Sequence, residues 1–487
     1  MNFYYLFENH FKVVVPELFL SLALVGLLMY GLFLPESNAL VSTVNVNWLS
    51  IYALFITLLL VMNNPIGRTT LFNEMLIHDP LTSLVKGLVL FGALASLVIS
   101  VQFFHLAKLH AFEYSILLLI ATDALLLLVS AYDMISVYMA IELQALSLYV
   151  LAASKRNSEF STEAGLKYFI LGAFSSGLLL FGISILYGFT GMTNFGHLVA
   201  FFIAYDWTTG LYSPVLALVF IATAFLFKLA VVPFHMWAPD VYEGAPTSVT
   251  AFFAITPKIA IFLVLFRFYA VYGFYQTSFI VALAMVTMVV AAFAALYQTK
   301  IKRLLAYSAI GHVGYMLVGV ATGTSEGIQA ILAYAFIYMV TTIAVFAIVL
   351  SLNYNNGLGV KYITDLSGLS KKNPTLAAIL AIMLFSLAGI PPFAGFYGKL
   401  YLFVAAIESS MYLLAIVGVL SSVAGALYYI RIIKIMYFEG SSTHEFLPID
   451  LEKALVIAVS TLFVVLFAVY PAPLLLLTQK VGFLFLI

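Results

Sequence analysis

Cysteine is absent from all 487 residues, which excludes disulfides, iron–sulfur clusters and thiolate metal sites. Charge is scarce as well. Only 9% of the residues are Asp, Glu, Lys or Arg, against the roughly 25% that a soluble chain uses to dress its surface. The 21 basic and 21 acidic residues cancel, so nothing points to nucleic acid as a partner. The eight histidines include no pair at the i, i+3 or i, i+4 spacing of a helical metal site. His105 and His110 share one short loop and read as interfacial residues. The N-terminus has no small-residue cleavage site, and it lacks the Arg-rich, acid-poor character of a transit peptide. Its first apolar run is therefore expected to be a retained span.

What remains is apolar. Hydrophobic residues make up 64% of the chain and the mean hydropathy is +1.12, so its solvent is lipid. A spanning helix needs about 20 apolar residues. That criterion gives an all-α polytopic membrane protein of fourteen spans: 13–35, 46–63, 81–104, 113–131, 133–153, 164–189, 213–238, 247–272, 277–297, 302–322, 326–352, 376–405, 410–437 and 453–478. Spans four and five are joined by little more than Tyr132 and Asp133, and Asp133 reads as a helix N-cap. Loops after odd-numbered spans hold twelve basic residues, among them Lys155, Arg156, Lys300 and Arg303. Loops after even-numbered spans and the termini hold four: Lys12, Arg68, Arg267 and Lys480. Basic residues collect on the inner side, so both termini are expected on the outer side. The acidic loop at 239–247 faces inward against that trend and is expected to pack on protein.

Two spans are interrupted. Span seven contains Pro233 and span twelve contains Pro391 and Pro392. Proline removes a helical hydrogen bond and clashes with the carbonyl four residues back, freeing the carbonyls of Leu229, Leu387 and Ala388. Lipid cannot satisfy them, so the breaks must face protein or a hydrated cavity. Broken helices at matching places in two halves point to inverted repeats. The chain divides on this reading into three N-terminal spans (1–112), a first five-helix repeat (113–272), a second (273–437) and a C-terminal span (438–487).

Four charges lie deep in long apolar runs: Glu142, Lys228, Lys258 and Lys399. Each costs at least about 2.5–3.5 kcal/mol to insert and so needs a reason. Lys228 is one turn before the first break, Lys258 follows Pro257, and Lys399 comes seven residues after Pro392, so both are expected to project from one face of span twelve. A lysine near a helix end is expected to snorkel, and this reading applies to Lys86 and Lys167. The four deep groups suit proton transfer instead. Burial disfavours the charged form of an ionisable group and an opposite charge restores it, so a buried lysine with a movable carboxylate can hold or release a proton. Driving one charge against 100 mV takes about 2.3 kcal/mol, within reach of such a switch. Glu142 is also open to a purely structural ion-pair role. Asp123, central in span four, is open to either reading. His312 could be a packed core histidine or a proton relay.

The segments at 139–177 (MAIELQALSLYVLAASKRNSEFSTEAGLKYFILGAFSSG), 227–253 (FKLAVVPFHMWAPDVYEGAPTSVTAFF), 300–315 (KIKRLLAYSAIGHVGY) and 387–403 (LAGIPPFAGFYGKLYLF) closely resemble subunit N, or mitochondrial subunit 2, of respiratory complex I. That family belongs to the proton-pumping NADH:quinone oxidoreductases and is related to subunits of multi-chain cation/proton antiporters. The resemblance runs over essentially the whole chain. It implies that Glu142 pairs with Lys228, that Lys258 links two half-channels, and that Lys399 is the outlet-side group. It implies no cofactor in this chain, with flavin (FMN), iron–sulfur clusters and quinone held by partner subunits. The implied neighbours are subunit K (mitochondrial 4L) and subunit M (mitochondrial 4), with lipid around them. Asp123 departs from the family pattern, and its proximity to Glu142 would upset a one-carboxylate accounting. The implied place is the mitochondrial inner membrane, with a bacterial cytoplasmic membrane as the alternative. Two rival readings are a cation/proton antiporter subunit not driven by redox chemistry, and a structural spacer with inert charges.

Overall fold

A computed structural model describes residues 3–33, 39–65, 67–101, 112–204, 213–272, 277–353, 359–440 and 446–486. His105 and His110 lie outside the described residues. Eleven described helices are long and apolar enough to cross a membrane. They are α1 (Phe3–Phe33), α2 (Ala39–Met62), α3 (Pro80–Ser100), α4 (Glu113–Ser130), α5 (Met134–Ala152), α6 (Glu159–Thr190), α10 (Thr247–Tyr272), α11 (Thr277–Leu296), α12 (Ile301–Thr322), α13 (Ser325–Ser351) and α17 (Tyr412–Phe438). Between them lie the shorter α7 (Phe195–Ala204), α8 (Ser213–Leu229), α9 (Trp237–Gly244), α14 (Leu369–Lys372), α15 (Pro374–Ala388) and α16 (Ala394–Glu408). The chain closes with α18 (Leu451–Leu466) and α19 (Ala472–Leu486). A two-stranded hairpin, β1 (Thr69–Leu71) with β2 (Leu76–His78), precedes α3.

The helices gather into two compact units. One comprises Met1–Leu94, His110–Leu229 and Thr256–Gln276; the other comprises Ala95–Leu109, Ala230–Ile255 and Thr277–Ile487. In the first, α1 packs on α2 and α4, α4 on α5, and α6 lies between α5 and α8. In the second, α13 is almost wholly buried and packs against α12, α16, α18 and α19, while α11 joins α12 to α17. The apolar faces that α1, α11 and α17 leave uncovered suit a lipid surround.

The turn between α4 and α5 is as short as expected, and Asp133 caps α5 by accepting from the Ile135 amide at 2.8 Å. Carbonyls at the end of a helix have no partner within it, and here a distant residue supplies one. Arg267 donates to the Val129 carbonyl at 2.8 Å and the Ala131 carbonyl at 3.0 Å, and it pairs with Asp79 at 3.3 Å. The topology count placed Arg267 in a loop. It lies inside α10 and is 4% exposed, because α4 needs its guanidinium there.

Pro257 leaves α10 unbroken. Its missing N–H frees the carbonyl of Phe253, and the Tyr242 hydroxyl donates to that oxygen at 3.1 Å. Tyr242→Phe would leave it bare at a cost of about 1–3 kcal/mol. The expected result is a lower unfolding temperature of the purified assembly; an unchanged one would mean another donor takes over.

The two expected breaks are present and wider than a kink. α8 stops at Leu229, Ala230 takes φ +60°, and helix resumes only at Trp237. α15 stops at Ala388, Gly389 takes φ +84°, and α16 starts at Ala394. Pro392 therefore lies outside any helix and shares no helical face with Lys399. Span fourteen is also interrupted, ending as α18 at Leu466 and resuming as α19 at Ala472, with Pro471 in the gap. The acidic segment before α10 packs on protein as expected. Glu243 pairs with Lys300, and Arg303 pairs with Asp240 at 3.3 Å and Glu243 at 3.3 Å.

Candidate functional site

In the first unit, Lys228 is the penultimate residue of α8, where the negative end of the helix dipole favours an ammonium. It is 7% exposed. Its Nζ has no hydrogen-bond partner and sits 5.8 Å from the centre of the Tyr149 ring. That ring is itself held edge-on by Tyr168 and Phe169. Glu142 and Tyr149 are seven residues apart on one face of α5. Glu142 is half-buried and its Oε1 is also unpartnered. The charges of Glu142 and Lys228 lie in electrostatic range, but no ion pair joins them among the described residues. The ammonium rests on an aromatic face where the resemblance implied a carboxylate contact. Lys258 is 2% exposed, inside α10.

The second unit holds a denser network. His312 of α12 faces the Tyr334 hydroxyl of α13 at 2.5 Å through Nδ1. Through Nε2 it faces the Tyr429 hydroxyl of α17 at 3.2 Å. Tyr429 in turn contacts the Ser308 hydroxyl. Lys399 of α16 donates to the Ala388 carbonyl at 2.8 Å, one of the three carbonyls expected to be freed at this break. Its Nζ lies 4.8 Å from the centre of the Tyr315 ring. Two small cavities, each of about 10 Å³, share His312, Leu387 and Lys399 in their linings. A space of that size holds about one water molecule. His312 is thus a hydrogen-bonded member of a hydroxyl network that borders Lys399, more than a packed core ring.

Sequence reasoning missed Tyr149, Tyr334, Tyr429 and Ser308. A signal was present for one of them: Ser308, His312 and Tyr315 follow i, i+4, i+7 spacing and share one face of α12. Lys86 departs from the snorkelling expected of it. It is 1% exposed and pairs with Glu17 at 2.5 Å, because that carboxylate is within reach inside the unit. Lys167 pairs with Glu163 at 2.7 Å on an exposed helix face. Asp123 lies in range of Glu17. Among the described residues no group of three or more His, Cys, Asp or Glu could hold a metal ion.

A helical membrane chain in which two of the interrupted helices carry a buried lysine, one before its break and the other after, has the build of an antiporter-like ion-translocating protein. Residues 131–425 match the family described as NADH:quinone oxidoreductase/Mrp antiporter, TM. The chain belongs to this family. It is 48% identical to NADH-ubiquinone oxidoreductase chain 2 of Marchantia polymorpha, over 98% of this chain and 99% of the relative. It is 44% identical to NADH-quinone oxidoreductase subunit N of Parvibaculum lavamentivorans, over 96% of each. Among solved structures, a chain of respiratory complex I from Thermus thermophilus superposes with a TM-score of 0.82 at 28% identity, covering 95% of this chain and 99% of that one. A chain of the Mrp complex from Dietzia shares the fold, with a TM-score of 0.81 at 21% identity over 96% of each.

Proposed function

We propose that this chain is the proton-translocating subunit N, or chain 2, in the membrane arm of a proton-pumping NADH:quinone oxidoreductase. The observation that carries this reading is identity of 44–48% to subunits of that name over nearly the full length. The antiporter reading has only a shared fold behind it. As a subunit of an H⁺-translocating enzyme the chain contributes no redox centre, and its duty is to move protons.

Glu142, Lys228, Lys258, His312 and Lys399 are the groups we assign to that duty. Lys228 over Tyr149, apart from Glu142, corresponds to the separated arrangement of a movable pair. Closing onto Glu142 would favour the ammonium, and opening again would favour proton release. At the other lysine, a water in either small cavity could pass a proton between Lys399 and the His312 hydroxyl network. The prolines at 233, 391 and 392 keep the backbone open beside both lysines. This reading carries with it fourteen spans, with α8–α9, α15–α16 and α18 counted as the remaining crossings, and two inverted five-helix repeats at 113–272 and 273–437. It also places both termini on the outer side and subunits K and M alongside. The plant and bacterial relatives fit a mitochondrial inner membrane or a bacterial cytoplasmic membrane, and we favour the former.

The test is reconstitution of the whole complex in liposomes, with protons moved counted per NADH oxidised. Lys228→Ala and Glu142→Gln are each expected to lower that ratio in a normally assembled complex. A ratio equal to wild type in both would leave the pair without its proposed duty and favour an inert spacer.

A further inference from the structure

A second group of buried charges lies in the first unit and takes no part in the proposal above. Glu17 is 5% exposed, Lys86 1% and Asp123 8%. They come from three helices, α1, α3 and α4. Asp123 is ten residues into α4, or roughly 15 Å at helical rise, about half of a bilayer core. Lys86 holds Glu17 at 2.5 Å, whereas Asp123 Oδ1 has no hydrogen-bond partner. The Glu17 carboxylate lies in electrostatic range of Asp123, and α1 packs directly on α4.

Counting charge decides what this group can hold. Two carboxylates and one ammonium sum to minus one, and an uncompensated charge in the interior costs several kcal/mol. The set is neutral only when one proton is added. We infer that Glu17, Lys86 and Asp123 form a proton-binding site of their own in the N-terminal helices. Asp123 carries the proton, and Lys86 is a positioning residue that fixes Glu17 as its counter-ion.

The surroundings give a proton a way in. Pro16, immediately before Glu17, frees the Lys12 carbonyl of α1, and the neighbouring Val13 carbonyl accepts from the Asn64 side-chain amide at 3.5 Å. On α2, which packs against both α1 and α4, Thr43, Asn47, Ser50 and Thr57 are buried and recur at i, i+4, i+7 and i+14. They line one face over roughly 21 Å of helix. Asn47 of this row accepts from Ser115 of α4 at 3.3 Å. The other titratable groups nearby are His78 and Asp79. Burial pushes the His78 imidazole below its usual range, and its Nε2 faces the Pro65 carbonyl at 3.0 Å. Asp79 is occupied by Arg267. Neither supplies a second cation to the site.

The test counts protonated carboxyl groups in the assembled complex by variant-minus-wild-type infrared spectra, in ordinary and in heavy water. Asp123→Asn should remove one carboxylic-acid carbonyl band. Lys86→Met should add one. The double variant Glu17→Gln with Lys86→Met should return the count to the wild-type number, and it covers the case in which a lone Lys86 change fails to assemble. The wild-type band should shift in heavy water. An Asp123→Asn complex with no band lost, or a band indifferent to heavy water, would overturn the inference. In a Lys228→Ala complex the further change Asp123→Asn should still remove its one band, so a failure of the pump reading and a failure of this one remain distinguishable.

Discussion

Replacing Lys399 by methionine is expected to abolish most of the proton movement that passes through this chain while the complex still assembles. Methionine keeps an unbranched apolar stem of similar shape and removes the ammonium. A positioned acid–base group contributes roughly 10²–10⁴-fold to proton transfer, so this chain's share of the protons moved should fall by about two orders of magnitude. The variant also strips the donor from the Ala388 carbonyl, at about 1–3 kcal/mol of local stability. Lys399→Arg separates the two effects. Arginine retains a donor and a charge but does not release its proton. It should recover thermal stability and leave the ratio of protons to NADH as low as methionine does. If the arginine complex pumped like wild type, Lys399 would be no more than a clamp on the broken helix.

Gly395→Ala is expected to be strongly damaging for so small a substitution. A Cβ at that position would lie 1.8 Å from the Ser386 carbonyl oxygen and 2.7 Å from its carbonyl carbon. Both are backbone atoms, so no side chain can swing aside. The first turn of α16 would have to leave the end of α15, breaking the bond from the Gly395 amide to the Ser386 hydroxyl at 3.1 Å. Overpacking against side chains costs about 1–3 kcal/mol, and a collision with backbone exceeds that range. Little or none of the subunit should be recovered in the purified complex. Gly177→Ala and Gly188→Ala, in α6 with nothing within 4 Å, serve as controls. They should be neutral or stabilising by up to about 1 kcal/mol, since alanine is the better helix former. Equal recovery of all three variants would show that the α15–α16 approach is looser than it looks.

The breaks were legible in the sequence because proline has only a few places to go in a membrane helix. The reversal at Asp133 was legible because the apolar runs on either side are long. The deep lysines stood out against apolar neighbours, and burial of Lys228, Lys258 and Lys399 follows. Partnership was not legible. Nothing in a run of apolar residues says that Lys86 finds Glu17, or that Arg267 serves α4, since those contacts join positions 69 and more than 130 residues apart. The hydroxyls around His312 hid for a related reason: tyrosine in a membrane span reads as one more large apolar side chain. Its oxygen matters only once three helices converge on the same imidazole.

The guanidinium at the end of α4 bears on how the chain is made. The Val129 carbonyl waits for a donor 138 residues further along, so the α4–α5 reversal stays incomplete while most of the first unit is already in the bilayer. A nascent chain halted before Arg267 would carry bare carbonyls where water is scarce, and such a fragment is a ready substrate for membrane proteases. Early truncation should therefore leave no stable half-protein behind.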